Sequence, residues 1–216
     1  GFSVRPPLPD FRNHQPYEPY DAPLAPYNSV RAFNETDIDR LQTFVQWSRR
    51  TTFNDHQLYF NAGLRSQSWI VASEGEQSGT KIVWSPRGQF GVKPAWKADM
   101  LFRISGGIYR QPPFYRELRG MTGELNPEVE AQQALQLVLG NEYSFRMFKR
   151  PFKLISEAYY KDLDNVNPYT LENVRIRYAA ENNAEAYAYG LDLRLNGEFV
   201  PGTQSWLSFG YLKTEE

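Results

Sequence analysis

From Leu41 onward, apolar and polar residues alternate in repeated short runs. Leu41, Thr43, Val45 and Trp47 are separated by Gln42, Phe44 and Gln46, and the rhythm returns at Leu58–Leu64, Ile82–Val92, Phe102–Ile108, Leu135–Leu139, Phe152–Ala158, Tyr187–Leu195 and Leu207–Tyr211. A period of two marks a strand, because successive side chains point to opposite faces of a sheet. The pattern predicts about eight strands of roughly 9–11 residues, the length a tilted strand needs to cross hydrocarbon. Strands of soluble sheets are usually shorter, near ~5–6 residues. Pro86 lies inside the third run, where it cannot donate to a ladder, so a bulge is expected there.

The connections alternate too. Those after the first, third, fifth and seventh strands are short (49–56, 94–99, 146–151, 196–204), and those after the second, fourth and sixth are long (66–80, 111–130, 162–183). The expected fold is therefore all-β, a segment of an antiparallel up-and-down transmembrane β-barrel with short periplasmic turns and long extracellular loops. Trp96, Phe145, Phe148, Phe152 and Trp206 gather beside the short turns, as an interfacial girdle would. One face of the strands carries Arg65, Arg87, Lys93, Arg103, Lys153, Glu157, Asp192 and Arg194, and is expected to line a polar interior. Alternation by itself is equally compatible with a soluble β-barrel or β-sandwich ligand-binding module, whose apolar faces would pack against each other.

Residues 1–40 have neither period. Pro6-Pro7-Leu8-Pro9 and Tyr17-Glu18-Pro19-Tyr20 read as a long irregular loop. Two regions follow: an extracellular loop over 1–40 and a partial barrel over 41–216.

Composition narrows the function. Aromatic residues make 15% of the 216-residue chain, which suits strands and interfacial belts. The mean hydropathy of −0.61 argues neither way, since only every second barrel residue meets lipid. A net charge of −1 gives no bulk attraction for nucleic acid. Cysteine is absent, which removes disulfides, thiolate metal sites and cysteine nucleophiles. The two histidines, His14 and His56, fall in separate connections, and no nucleophile motif, metalloprotease motif or phosphate loop occurs. No enzyme activity, cofactor or metal site is expected. The oxygen-rich Asp162-Leu163-Asp164-Asn165-Val166-Asn167 lacks the Gly and Glu of a calcium loop and reads as a solvated turn. Candidate binding residues are Tyr109, Arg110, Tyr115, Arg116 and Arg119 around one long loop, with Arg103 on the polar face below. Guanidinium forks and aromatic rings in one place suit an anionic or sugar-like ligand.

Several stretches resemble a known family. Arg103-Ile104-Ser105-Gly106-Gly107 is followed by Arg110-Gln111-Pro112-Pro113-Phe114-Tyr115-Arg116-Glu117-Leu118, then by Leu125-Asn126-Pro127-Glu128-Val129-Glu130. That succession is similar to a barrel segment of TonB-dependent outer-membrane receptors. Ser85-Pro86-Arg87, Glu157-Ala158-Tyr159-Tyr160-Lys161 and Ala186-Tyr187-Ala188-Tyr189-Gly190 resemble other strands of that barrel, in the same order. The resemblance covers about residues 58–216. It implies an outer-membrane transporter that binds a scarce nutrient (siderophore, vitamin, haem or glycan). It further implies a TonB-type energy-coupling protein acting through a plug region, outer-membrane lipid around the barrel, and in some members a surface lipoprotein over the loops. Nothing in the chain matches the family's plug or its coupling box, and its barrel has about 22 strands. The chain is therefore expected to be an internal barrel fragment.

Overall fold

A computed structural model of the chain describes Phe2–Ser3, Asn28–Ser29 and residues 35–73, 76–172 and 175–215. Thirteen strands follow in chain order: β1 (Phe2–Ser3), β2 (Asn28–Ser29), β3 (Thr36–Phe53), β4 (His56–Ser73), β5 (Glu76–Gln77), β6 (Lys81–Lys93), β7 (Asp99–Gln111), β8 (Gln132–Met147), β9 (Arg150–Val166), β10 (Tyr169–Glu172), β11 (Arg175–Tyr178), β12 (Ala184–Gly197) and β13 (Ser205–Glu215). Eight of them form one open wall in the order β13-β12-β9-β8-β7-β6-β4-β3, and β5 pairs with the end of β4. Every wall contact is antiparallel and joins strands that follow one another around the wall. This is the up-and-down barrel segment expected from the alternation; its two edges do not meet.

The strands are longer than expected. β3 and β4 each have 18 residues, β9 has 17 and β8 has 16. They continue past the alternating runs because polar residues such as Thr36, Asp37, Gln132 and Asp164 pair as readily as apolar ones at the long-loop end. β3 thus begins at Thr36 rather than Leu41, and 162–166 belong to β9 rather than to a turn. Most of the Pro/Tyr-rich segment lies outside the described residues.

Two of the short turns are two-residue connections. Asn54-Asp55 (φ 48° and 66°) closes β3 on β4, and Phe148-Lys149 (φ 53° and 61°) closes β8 on β9. Paired positive φ values match the right-handed twist of the flanking strands, and Asn and Asp tolerate them well. Phe and Lys do so only with strain.

Pro86 is accommodated without a bulge. The β4–β6 register runs unbroken through Leu64↔Pro86, whereas the β6–β7 ladder stops at Arg87↔Gly107. β6 and β7 therefore splay apart beside Pro86, where its missing N–H has no ladder to serve. The Arg110 backbone N–H donates to Ser85 Oγ across the gap (3.1 Å), and Arg110 Nη1 donates to the Trp84 carbonyl (2.7 Å).

Register carries each face across the whole wall. One row runs Thr51, Leu58, Val92, Phe102, Asn141, Ser156, Leu193, Phe209, and another joins Phe60, Phe90, Ile104, Leu139, Ala158, Leu191, Tyr211. Leu137, Leu139, Leu191 and Phe209 on this apolar face are all exposed. Phe145 and Phe152 stack there near the short turns, and Trp96 meets Phe102 edge-on. Trp206 departs from that girdle, because its pairing with Asn196 puts it on the polar face. The polar face holds all eight charged residues assigned to it by the alternation.

Candidate functional site

The polar face differs between its two halves. Toward the short turns, several charges are paired. A row joins Arg50, Tyr59, Gly91, Arg103, Gly140, Glu157, Asp192 and Gly210 across all eight strands. Arg103 Nη2 reaches Glu157 (2.8 Å) and Glu142 (3.4 Å), and Lys153 also contacts Glu142. Arg103 and Glu157 are two strands apart, with Gly140 between them. A Cβ at Gly140 would lie 3.3 Å from Arg103 Nε and 3.6 Å from Glu157 Oε1, so the missing side chain opens the lane through which the pair meets. Lys93 pairs with Asp99 (2.6 Å), while Arg50 and Arg194 lie over the rings of Tyr59 and Trp206.

Toward the long loops, the same face is covered. Trp69 and Val71 of β4 lie under Leu118, Val129 and Ala131 of the 112–131 loop and Ala180 of the 167–183 connection, with Ile38, Val83 and Leu125 at the margin. With Phe152, Pro112 and Pro113, these are the buried apolar residues of the described chain. Burying a side chain such as Leu118 or Val129 contributes roughly 1.5–3 kcal/mol each. Polar groups tie the loops together. Asn167 Nδ2 donates to the Glu117 carbonyl (2.8 Å), Asn126 Nδ2 to the Ala180 carbonyl (2.9 Å), and Asn182 Oδ1 accepts from the Glu130 N–H (2.7 Å). The buried Glu117 carboxylate accepts from the Phe114 N–H (3.0 Å) and from Gln132 Nε2 (2.8 Å). Burial raises its pKa above the ordinary 4.5, against the opposing pull of those two hydrogen bonds and of Arg40.

The six residues singled out from sequence fall into four places. Arg103 sits mid-wall within its ion pairs. Arg110 lies at the end of β7 in the row of Gln133, on the apolar side, where it donates to Gln133 Oε1 (2.9 Å) as well as lacing the β6–β7 gap. Tyr109 stands on the polar face, partly exposed. Tyr115, Arg116 and Arg119 are exposed on the loop, and Arg116 spends its guanidinium on the neighbouring Tyr115, donating to Oη at 2.9 Å. Only Tyr115, Arg116 and Arg119 share one surface. His56 braces the adjacent turn, its Nδ1 accepting from the Ala95 N–H (2.9 Å). The residues that sequence reasoning passed over are those that seat the loop. Their signal was Trp69, Val71 and Val83, apolar residues at polar-face positions, which need a cover.

No family model matches the sequence, and no curated protein matches it. Among solved structures, the wall is similar to the alcaligin outer-membrane receptor FauA from Bordetella pertussis, at a TM-score of 0.54 and 15% identity. The match covers 83% of this chain and 31% of that receptor, so the chain spans less than a third of the length of the protein it resembles. At that identity the likeness speaks to architecture. The chain has the fold of a segment of an outer-membrane receptor's β-barrel.

Proposed function

We propose that this chain is part of the barrel wall of a TonB-dependent outer-membrane transporter that captures a scarce nutrient and admits it to the cell. The apolar face meets lipid, the polar face lines the lumen, the short turns face the periplasm and the long loops face outward. The observation that carries this reading is the continuity of the apolar rows across all eight strands, with no described residue packed over their centre. A soluble sandwich would cover such a face with a second layer. Outside water, an exposed Leu, Phe and Tyr surface of this extent is at home only against hydrocarbon.

In this role the wall does no chemistry. Its strands hold the loops, and Tyr109, Tyr115, Arg116 and Arg119 stand along the approach to the lumen. Passage of the nutrient depends on a plug and a TonB-type coupling protein acting on the rest of the barrel. The test is oxygen accessibility of single spin labels along 186–195 of the full-length protein in lipid. Positions 187, 189, 191, 193 and 195 are expected to report hydrocarbon, and 188, 190, 192 and 194 a polar interior. The opposite phase, or protection of both faces, would overturn the reading.

A further inference from the structure

We propose that the polar face carries an anion-binding site centred on Arg65 and Arg87, extended by Lys161, and that the nutrient admitted past this wall is a small molecule bearing several negative charges. The inference rests on the lumen assignment and adds the ligand's chemical class.

Charge is segregated along the polar face. Toward the short turns, Arg103, Lys153 and Lys93 each have a carboxylate partner. On the long-loop side of the Glu157–Asp192 row, the polar-face positions of the wall strands contain no Asp or Glu. Gln46, Gln67, Gln136 and Tyr109 stand there instead. The Glu117 carboxylate of the loop above is already held by Phe114 and Gln132. Among the described residues, Arg65, Arg87 and Lys161 have no ion pair.

The two arginines are also diagonal neighbours on one face. Arg87 pairs with Gly63 across β4–β6, and a Cβ on Gly63 would lie 3.3 Å from Arg87 Nε, so the guanidinium stem lies flat over that glycine. Arg65 is two residues along the same strand face. Diagonal neighbours of this kind have Cα atoms roughly 7–8 Å apart, and like charges there repel unless something bridges them. Two planar forks side by side suit an oxyanion accepting from both. Lys161 shares the Gln136 and Gly107 row with Arg87 and stands three strand spacings away, roughly 14 Å, so a ligand spanning the site carries charge at both ends.

The test is a fluorescence titration of the full-length protein in detergent with pyrene tetrasulfonate, and with a pyrene carrying four trimethylammonium groups. The sulfonate is expected to bind and the cation not to. Arg65→Gln with Arg87→Gln should weaken sulfonate binding by about tenfold or more, since each removes a charge-assisted contact. Lys97→Gln with Lys149→Gln, in the short turns at the other end of the wall, should change it by less than about twofold, as expected for exposed turn charges. Equal binding of the two dyes, no binding of the sulfonate, or an unchanged double variant would overturn the inference. A protein that ignores the sulfonate yet gives the alternating spin-label pattern loses only this inference, while one that loses that pattern loses the barrel reading whatever the dyes do.

Discussion

The two ends of the wall are held by different means. At the short-turn end, neighbours within the wall do the work: Asn54-Asp55 and Phe148-Lys149 reverse the chain in two residues, and ion pairs such as Arg103–Glu157 lie at most two strands apart. At the long-loop end, Leu118 and Val129 return from a 20-residue excursion between β7 and β8 to cover Trp69 and Val71 on β4. One end is specified by local rules. The other depends on a loop that must return across the face to a strand it does not connect, and should come loose first.

Leu118→Ala should have the largest effect. Removing a fully buried leucine costs about 2–5 kcal/mol, here drawn from loop docking rather than from the wall. Amide exchange over 112–131 is expected to accelerate strongly while the hairpin ends at 54–55 and 148–149 keep their protection. Equal acceleration at both ends would erase the contrast. Gly140→Val tests the local end: the new side chain enters the lane between Arg103 and Glu157, and loss of that network should cost about 1 kcal/mol in urea unfolding. The loss should shrink in a Glu157→Gln background, where the pair is already broken.

Acidity offers a finer probe of the long-loop end. Because burial raises the Glu117 pKa, the docked loop binds that proton more tightly than the undocked loop does. This contribution to docking is fully present below Glu117's ordinary pKa and is lost as pH rises through the raised one. Trp69 emission should therefore report firmer docking under acid conditions, and Glu117→Gln should flatten the dependence; a slope unchanged in that variant would assign it to another group. The smallest effect is expected at the β8–β9 turn, where Lys149→Gly relieves a positive φ of 61° and should stabilise the hairpin by about 1 kcal/mol. Destabilisation there would mean that the lysine side chain contributes more than its backbone costs.

The same division governs what the sequence reveals. Strand number and face assignment are written in a period of two that needs only neighbouring residues to read, so Leu137, Leu139, Leu191 and Phe209 fall on the apolar face as the alternation requires; the long loop expected over 66–80 shrinks to 74–80, because 66–73 continue β4. The seating of the loop is not written locally. Trp69 and Val71 interrupt the polar face, but nothing in the chain says that their cover comes from Leu118 and Ala180. Pro86 shows the same limit: its incompatibility with a ladder is legible, while the remedy, a splay from β7 laced by Ser85 and Arg110, depends on where that ladder ends. Five binding candidates lie around one loop and Arg103 on the face below it, and the structure spreads them further, with Arg110 on the apolar side and Arg103 held in its ion pairs. The unpaired arginines at 65 and 87 look no different from their neighbours until the strands are placed side by side.

Each wall strand touches only its predecessor and its successor around the wall, so the hairpin, rather than the strand, is the unit in which such a wall can grow or shrink. Losing a single strand would send every later loop to the opposite side. Losing a hairpin leaves every remaining turn, loop and side chain facing the way it did, which makes paired gain and loss the tolerated route by which walls of this design change size.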